Sequence, residues 1–455
     1  MTGRTPPSPP LPPEEGGRIA RDRLSRRRDY LTTFAAESLF ILSYLAVFRL
    51  VADHFGPRGF GEYALSRRTL AFLLPIGAIG LDIAVARFVA YASERPQEQR
   101  AYLPAALGLL AIATGVLSTV LLVFQSFWAD LFFGSSSFAP LVPPLALMVA
   151  GNGLFAVAYG NFRGHLQILR ANVLRVVVHV LLPFGAALLV RGSVSDLLYV
   201  IGGGWALLSL VALAITPMRI DKALAHASEL ARYSVPRAPG DLLALVMFAV
   251  PGIVVAHVSD ITVAGNVAFG IAALGMVAVA VFPVGFVLLP VASRLLAAGS
   301  VDRLRGQVFI VARVAVGLIV IAILVFEVFA TQIVDLYLGP AFAGSVATLR
   351  LLMLGALPWG IYMSLRTVID ARHKRPINAI NVGISFAFFA ALMLILSIWM
   401  DPAKVVVPVF VTSLYVLGAL TVLELWRVTH RPLPTDSIKE IELDVAAEDA
   451  AEPIV

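Results

Sequence analysis

The chain has 455 residues, 59% of them hydrophobic and 14% charged, with no cysteine and a formal charge of +6. A soluble protein of this length carries about 25% charged residues, so the surplus apolar surface is expected to face lipid. Without cysteine there is no disulfide, thiolate metal site or cysteine nucleophile, and the positive charge does not signal a nucleic-acid partner, because the basic residues sit in short loops between apolar segments, where they set topology.

Residues 1–29 open with a Pro-rich stretch, Pro6 to Pro13, and turn basic through Arg18, Arg21, Arg23, Arg26, Arg27 and Arg28. Such a stretch cannot bury a core and reads as a disordered tail. The apolar segment behind it has full span length and no small-residue cleavage site, so the first helix is expected to act as an uncleaved signal anchor. Twelve spans follow, near 31–52, 62–91, 103–125, 140–160, 171–190, 197–217, 240–258, 265–292, 307–329, 344–365, 378–399 and 405–425. Each has about the 20 residues that a helix needs to cross a bilayer. The expected fold is an all-α integral membrane protein: an N-terminal six-helix bundle (30–217), a basic amphipathic linker on the inner surface (218–239), a C-terminal six-helix bundle (240–425) and a polar, acidic, disordered tail (426–455).

The second half echoes the first. Asp130-Leu131-Phe132-Phe133-Gly134 returns as Asp335-Leu336-Tyr337-Leu338-Gly339, and Phe138-Ala139 as Phe342-Ala343. Gly61-Glu62-Tyr63-Ala64 returns as Gly265-Asn266-Val267-Ala268, again roughly 205 residues on, a duplicated membrane unit such as many transporters use. Of the 35 basic residues, roughly 25 fall in tails and loops on one side and about 3 (Arg58, Arg191, Lys404) on the other, which places both termini in the cytoplasm. The two six-helix bundles then share one orientation, related by a two-fold axis along the membrane normal around a central cavity.

Charges within spans carry the functional information, because each costs about 2.5 kcal/mol or more unless it meets a cavity or a partner. In the inner half lie Glu37, Asp82, Arg87, Arg175, His179 and Arg313; in the outer half lie Arg49, Arg67, Arg68 and Glu327. Asp82 should sit roughly 13 Å deep, too far for a short carboxylate to snorkel. Arg175 and His179 share a helix face. Arg313 and Glu327 fall on nearly one face roughly 21 Å apart, which suits either a wet path or two separate snorkellers. Arg67 and Arg68 point about 100° apart, so at most one is expected to aim into a cavity. Arg49 and Arg350 read as snorkelling residues near outer ends. Arginines outnumber acids here, as suits an anionic substrate that a guanidinium can hold with two donors. Arg67, Arg68, Arg87, Arg175, His179 and Arg313 are therefore the candidates for substrate contact. Glu37, Asp82 and Glu327 are the candidates for ion coupling, with pairing to an arginine as the alternative for Glu37. Prolines within spans read either as ordinary membrane-helix prolines or as hinges, and Pro251, Pro283 and Pro290 are the hinge candidates.

No phosphate loop of an ATP motor and no His-Glu-x-x-His metal site occurs, so neither a cofactor nor a metal is expected. Loops on the outer side leave little room for an extracytoplasmic catalytic domain.

The run Phe55-Gly56-Pro57-Arg58-Gly59-Phe60-Gly61-Glu62-Tyr63-Ala64-Leu65, followed by Gly80-Leu81-Asp82-Ile83-Ala84-Val85-Ala86-Arg87-Phe88-Val89-Ala90, resembles the opening of polysaccharide-biosynthesis flippases, the Wzx-type branch of the multidrug/oligosaccharidyl-lipid/polysaccharide exporter superfamily. Asp335 to Phe342 and Leu349-Arg350-Leu351-Leu352 resemble the family's helix 9–10 region. The resemblance runs over nearly all of 32–425 and identifies the superfamily better than the substrate. It implies a multi-pass bacterial cytoplasmic (inner) membrane protein that flips undecaprenyl-pyrophosphate-linked oligosaccharide to the outer leaflet by alternating access, in exopolysaccharide or lipopolysaccharide synthesis. Membrane lipids, and the glycosyltransferases and polymerase of such a pathway, would be its partners. The pair Arg67 and Arg68 lies outside the family pattern and reads either as substrate tuning or as outer-surface anchoring. An ion-coupled drug antiporter of the same superfamily is the nearest alternative, disfavoured by the arginine surplus. A membrane-embedded glycan polymerase or ligase is a more distant one.

Overall fold

The computed structural model describes the backbone of residues 13–221, 223–234, 238–279, 300–372 and 376–430, together with five residues between 280 and 299. The elements run α1 (Pro13–Ala78), α2 (Leu81–Tyr91), α3 (Pro96–Val123), α4 (Gln125–Phe133), α5 (Val142–Gly164), α6 (Ile168–Val176), a π turn (Val177–Leu181), α7 (Leu182–Leu189), α8 (Val194–Ala214), α9 (Ala223–Ser234), α10 (Ala238–Val258) and α11 (Ile261–Val279). They continue with α12 (Val301–Tyr337), α13 (Val346–Leu354), α14 (Ala356–Arg372), α15 (Ile377–Leu396) and α16 (Pro402–His430); short 3-10 turns, Ser136–Leu141 and Pro340–Ser345, precede α5 and α13. Among the described residues there is no strand.

Among the described residues nine helical stretches are long and apolar enough to cross a bilayer, and Leu242–Val258 and Ile261–Val277 are shorter apolar helices. Of the twelve expected spans, nine fall largely in these stretches and 240–258 on the first shorter helix; 62–91 lies only partly in Leu31–Ala78, and 265–292 only partly on the second shorter helix, the rest of it lying largely outside the described residues. Side chains such as Ile112, Val116, Ile321 and Val328 are more than half exposed, an apolar girdle that only lipid would cover.

Local chemistry sets the breaks. The 66-residue α1 is two helices joined at Gly56, whose φ of 66° suits glycine, with Pro57 beside it opening the next arm. The arms fold back on each other: Phe48 and Tyr63 would lie about 22 Å apart on a straight helix, yet their ring centroids are 5.2 Å apart. Ser193 and Asp196 form a reciprocal capping box at the start of α8. The π turn stands just before Pro183, whose ring opposes the carbonyl one turn back and forces the coil to widen. Ser43 Oγ donates to the Val180 carbonyl in that turn over 3.0 Å.

Three expectations change. Residues 13–29, read as a disordered tail, are helical and continuous with the first span. The second span is not one long helix, for it breaks at Ile79 (φ 43°) and Gly80 (φ 70°). The linker helix α9 is not only a surface element. It packs on α2 and α3, with Leu230 fully buried, Tyr102 donating to Glu229 Oε2 over 3.0 Å and Gly80 close to Ser234. Of the hinge candidates, Pro251 lies within α10, whose helix runs through it unbroken, while Pro283 and Pro290 lie outside the described residues.

The two halves meet at the end opposite the basic loops. There the repeated glycines face each other: a Cβ on Gly61 would collide with the Ile261 carbonyl, and one on Gly265 with Gly61 Cα. Gly134, which ends α4, sits equally tight against the Ala256 backbone. Phe60 packs on Phe269 at 5.3 Å and on Phe342 at 5.0 Å, and Phe48 on Phe269 at 5.1 Å. Tyr337 donates across the halves to the Leu45 carbonyl over 2.6 Å. These contacts close one end of the interface.

Candidate functional site

Below that closure lies a cavity of about 530 Å³ between the halves. The duplication builds its walls. Gly61 and Gly265 are 204 positions apart (265 − 61), and the same offset relates the lining residues in pairs. Phe40 and Ala244, Ile41 and Leu245, Tyr44 and Phe248, Ala64 and Ala268, Arg67 and Ile271, Arg68 and Ala272, and Ala71 and Gly275 all line it. Trp359, Met363 and Arg366 of α14 complete the C-terminal wall, and Glu37 the N-terminal one. Its charged residues are three arginines, Arg67, Arg68 and Arg366, against one glutamate. Both Arg67 and Arg68 line it, contrary to the expectation for adjacent residues, and Arg67 borders the second cavity as well.

The second cavity, about 210 Å³, lies inside the N-terminal half. Arg67 and Phe40 are common to both. Asn152, Phe155, Arg175, His179 and Trp205 close the smaller one. His179 projects from the π turn edge-on to Phe155 (4.2 Å between centroids) and to Trp205 (4.7 Å). Arg67 stacks over Tyr44 and Trp205 at 5.6 and 5.5 Å. Arg175 stacks over Phe40 at 5.3 Å and donates from Nη2 to Glu37 Oε2 over 2.7 Å. Glu37 is thus held in an ion pair, the alternative left open for it, and Arg175 turns into the protein instead of snorkelling.

The remaining expected residues lie elsewhere. Arg87 does not line either cavity. It is exposed on α2, between Tyr91 (5.1 Å) and Tyr233 (4.8 Å), and donates to the Tyr233 hydroxyl over 3.0 Å. It therefore clasps α9, a partner 146 residues away in sequence. Asp82 stands exposed in the first turn of α2, where the helix dipole favours a carboxylate, instead of deep within a continuous span. Arg313 is exposed over the Phe309 ring at 5.6 Å, among the exposed apolar Ile310 and Val314. Glu327, half-buried, faces Arg350 at 3.8 Å in a separate cleft, so Arg313 and Glu327 do not share a wet face. Arg49 pairs with Asp53 at 3.0 Å. Arg366 was absent from the expected set because the tenth span was drawn to end at residue 365, whereas α14 runs to Arg372. The spacing Trp359, Met363, Arg366, one face of a helix, was the available signal.

The family model for polysaccharide biosynthesis proteins matches residues 32–296. No curated protein matches the chain. Among solved structures, the chain is similar to an inward-facing multidrug resistance MATE family transporter of the MOP superfamily, with a TM-score of 0.72 at 13% identity over 88% of this chain and 96% of that one. The lipid II flippase MurJ in its inward closed conformation gives 0.66 at 15% identity, over 94% and 93%. The eukaryotic MATE transporter AtDTX14 gives 0.63 at 14%, over 92% and 100%. These likenesses show the fold. The family match, which spans more than half of the sequence, goes further: the chain is a multi-pass membrane protein that belongs to the polysaccharide biosynthesis protein family.

Proposed function

We propose that the protein is a transporter, not an enzyme, that flips undecaprenyl-pyrophosphate-linked oligosaccharide from the inner to the outer leaflet of the bacterial cytoplasmic membrane by alternating access. The observation that carries this reading is the interfacial cavity whose charged lining is three arginines and one glutamate. In a site of low dielectric such an excess of cations favours a polyanionic head group, and a guanidinium offers a phosphate two parallel donors. Both termini and the basic loops face the cytoplasm in this reading, so the closed end is the outer one and the cavity accepts substrate from inside. The residue spans 30–217 and 240–425 move as the two bundles, joined by 218–239. The glycan crosses through the cavity while the polyprenyl tail stays in the bilayer.

A strain deleted for the protein should accumulate the lipid-linked glycan on the cytoplasmic leaflet. The wild-type chain restores export; Arg68→Ala or Arg366→Ala restores it at a rate lower by about 10- to 100-fold, the size of one lost contact to a charged group. Normal export in both variants would remove the assignment. Unchanged glycan export with lost resistance to cationic drugs would favour the antiporter instead.

A further inference from the structure

A third cavity, about 420 Å³, shares no lining residue with the two described above. Its walls are the first turn of α3, the last turn of α5, the start of α6 and the residues that follow α8. Every lining residue lies within about one turn of the end of a membrane-length helix, hence no more than about 6 Å from the limit of a span. That is the depth of the head-group layer, which adds roughly 5–8 Å to each side of the hydrocarbon. Two arginines line the cavity, Arg100 and Arg170, and no carboxylate does among its described residues. Arg100 has no side-chain partner among the described residues, and Arg170 donates from Nη1 to the neutral Gln167 Oε1 over 3.0 Å. Asn161 is 2% exposed, yet its side-chain amide has no hydrogen-bond partner among the described residues and keeps access to open space. The cavity it lines is that space. A buried amide left open costs the fold unless something from outside meets it. His165 Nδ1 lies 2.9 Å from the Asn161 carbonyl, so the proton sits there and Nε2 remains for a ligand. The mouth is apolar: Leu166 is 80% exposed and Ile215 78%. Leu166 takes the left-handed position that ends α5 (φ 56°), where glycine is usual, between the lining residues His165 and Gln167.

We propose that this cavity is a resident-lipid site, which binds the head group of an anionic phospholipid of the phosphatidylglycerol class. Arg100 and Arg170 hold the phosphodiester, Asn161 and His165 Nε2 meet the head-group hydroxyls, and Leu166 and Ile215 lie against the acyl chains. A basic pocket between helix ends at head-group depth is a place such lipids occupy. A zwitterionic lipid fits worse, because the lining offers no carboxylate to an ammonium. A soluble anion leaves the exposed leucine and isoleucine uncovered. The site rests on the chain spanning a membrane and not on what it transports. Its occupant also touches the path into the linker: Thr216 and Pro217 line the cavity, and the Arg219 N–H donates to the Arg100 carbonyl over 3.0 Å.

The test uses the full-length protein, delipidated in detergent, and native mass spectrometry with titrated dioleoyl-phosphatidylglycerol. The first such lipid should bind about tenfold or more tightly than dioleoyl-phosphatidylethanolamine. Arg100→Ala combined with Arg170→Ala should abolish that preference, a loss of about tenfold or more for contacts to a charged group. Arg163→Ala should leave it unchanged, for Arg163 is a cation at the same helix end that stacks over Tyr159 at 5.6 Å and does not line the cavity. Asn161→Leu gives an independent reading. Because the amide has no protein partner, this variant should keep the unfolding temperature of the lipid-free protein and still weaken phosphatidylglycerol binding by about fivefold, the size of one neutral hydrogen bond. A lower unfolding temperature with unchanged lipid binding would show a structural amide and overturn the site. So would equal binding of the two lipids, or an equal loss in Arg163→Ala, which would show general charge attraction. Displacement of the lipid by free glycerol 3-phosphate at equal concentration would overturn the lipid as the occupant in favour of a soluble anion.

Discussion

The two walls of the interfacial cavity are copies of one another and differ in chemistry. One helix arm presents Arg67 and Arg68 where the corresponding arm presents Ile271 and Ala272, and Tyr44 faces the cavity where its counterpart is Phe248. The backbone is the conserved part of this duplication: Gly61 and Gly265 let the two arms touch at the symmetry axis. Duplication thus supplies a hinged interface that is equal on both sides, and substitution afterwards makes one side cationic. A cavity with arginine pairs on both duplicated arms would confront more like charge; one with arginine on neither would lose two of its three guanidinium groups. Asymmetry places two guanidinium groups on one half and leaves the duplicated arm opposite apolar, with Arg366 of α14 the single cation on that side.

The sharpest way to break the comparison is to remove the shared element. Gly61→Leu puts side-chain atoms where the Ile261 carbonyl stands, so the closure at this end cannot form. Transport should fall to background while the protein remains in the membrane. Because the chain lacks cysteine, Phe342→Cys provides a single reporter. Its labelling by an impermeant thiol reagent from outside should rise by about tenfold or more in the Gly61→Leu background, since an apolar contact of this kind otherwise excludes water. Unchanged labelling would mean that the glycine crossing is not a gate.

Much of this was legible in the sequence, and the reasons differ by residue. Gly61 and Gly265 were visible as an echo because a backbone contact tolerates only glycine, so both copies kept it. Arg67, Arg68, Arg175 and His179 stood out because a charge in an apolar span is costly and therefore purposeful. Trp205 was invisible, for an apolar residue in an apolar span breaks no pattern, and its packing against His179 and Arg67 brings together residues far apart along the chain. Arg87 misled for the opposite reason: its partner Tyr233 lies on the linker helix, and no local spacing announces a contact that long. The break at Ile79–Gly80 was hidden because Leu-Leu-Pro-Ile-Gly-Ala-Ile-Gly stays apolar throughout, and hydropathy does not register φ.

A milder intervention transfers charge between the walls. Ala272→Arg in an Arg68→Ala background restores one guanidinium to the cavity from the opposite side. If net charge alone recruits the substrate, export should recover to within about threefold of the wild type, a difference of about 0.65 kcal/mol. If the anion must dock against the N-terminal half, recovery should be absent even though the charge count is the same. The outcome separates general electrostatic attraction from a positioned phosphate contact, and leaflet-resolved export of the lipid-linked glycan reads it.

The smallest effect is expected at Arg313. Its charge lies within a span, the feature that drew attention to Arg67 and Arg175, but its surroundings differ. Arg313 is exposed on α12 with Phe309, Ile310 and Val314 around it, and its guanidinium rests over the Phe309 ring. A long cationic side chain on a lipid-facing surface reaches along its helix toward the head groups, and its stem covers apolar surface on the way. Removing it deletes a cation–π contact worth about 0.5–1 kcal/mol at an exposed site and no cavity contact. Arg313→Ala should therefore keep export within about twofold of the wild type, a shift smaller than that contact energy, and lower the unfolding temperature only slightly. A loss as large as that expected for Arg68→Ala would place α12 on the substrate path. The contrast between the two duplicated arms, one with two arginines and one with none, would then have to be redrawn with a further cationic surface in the C-terminal half.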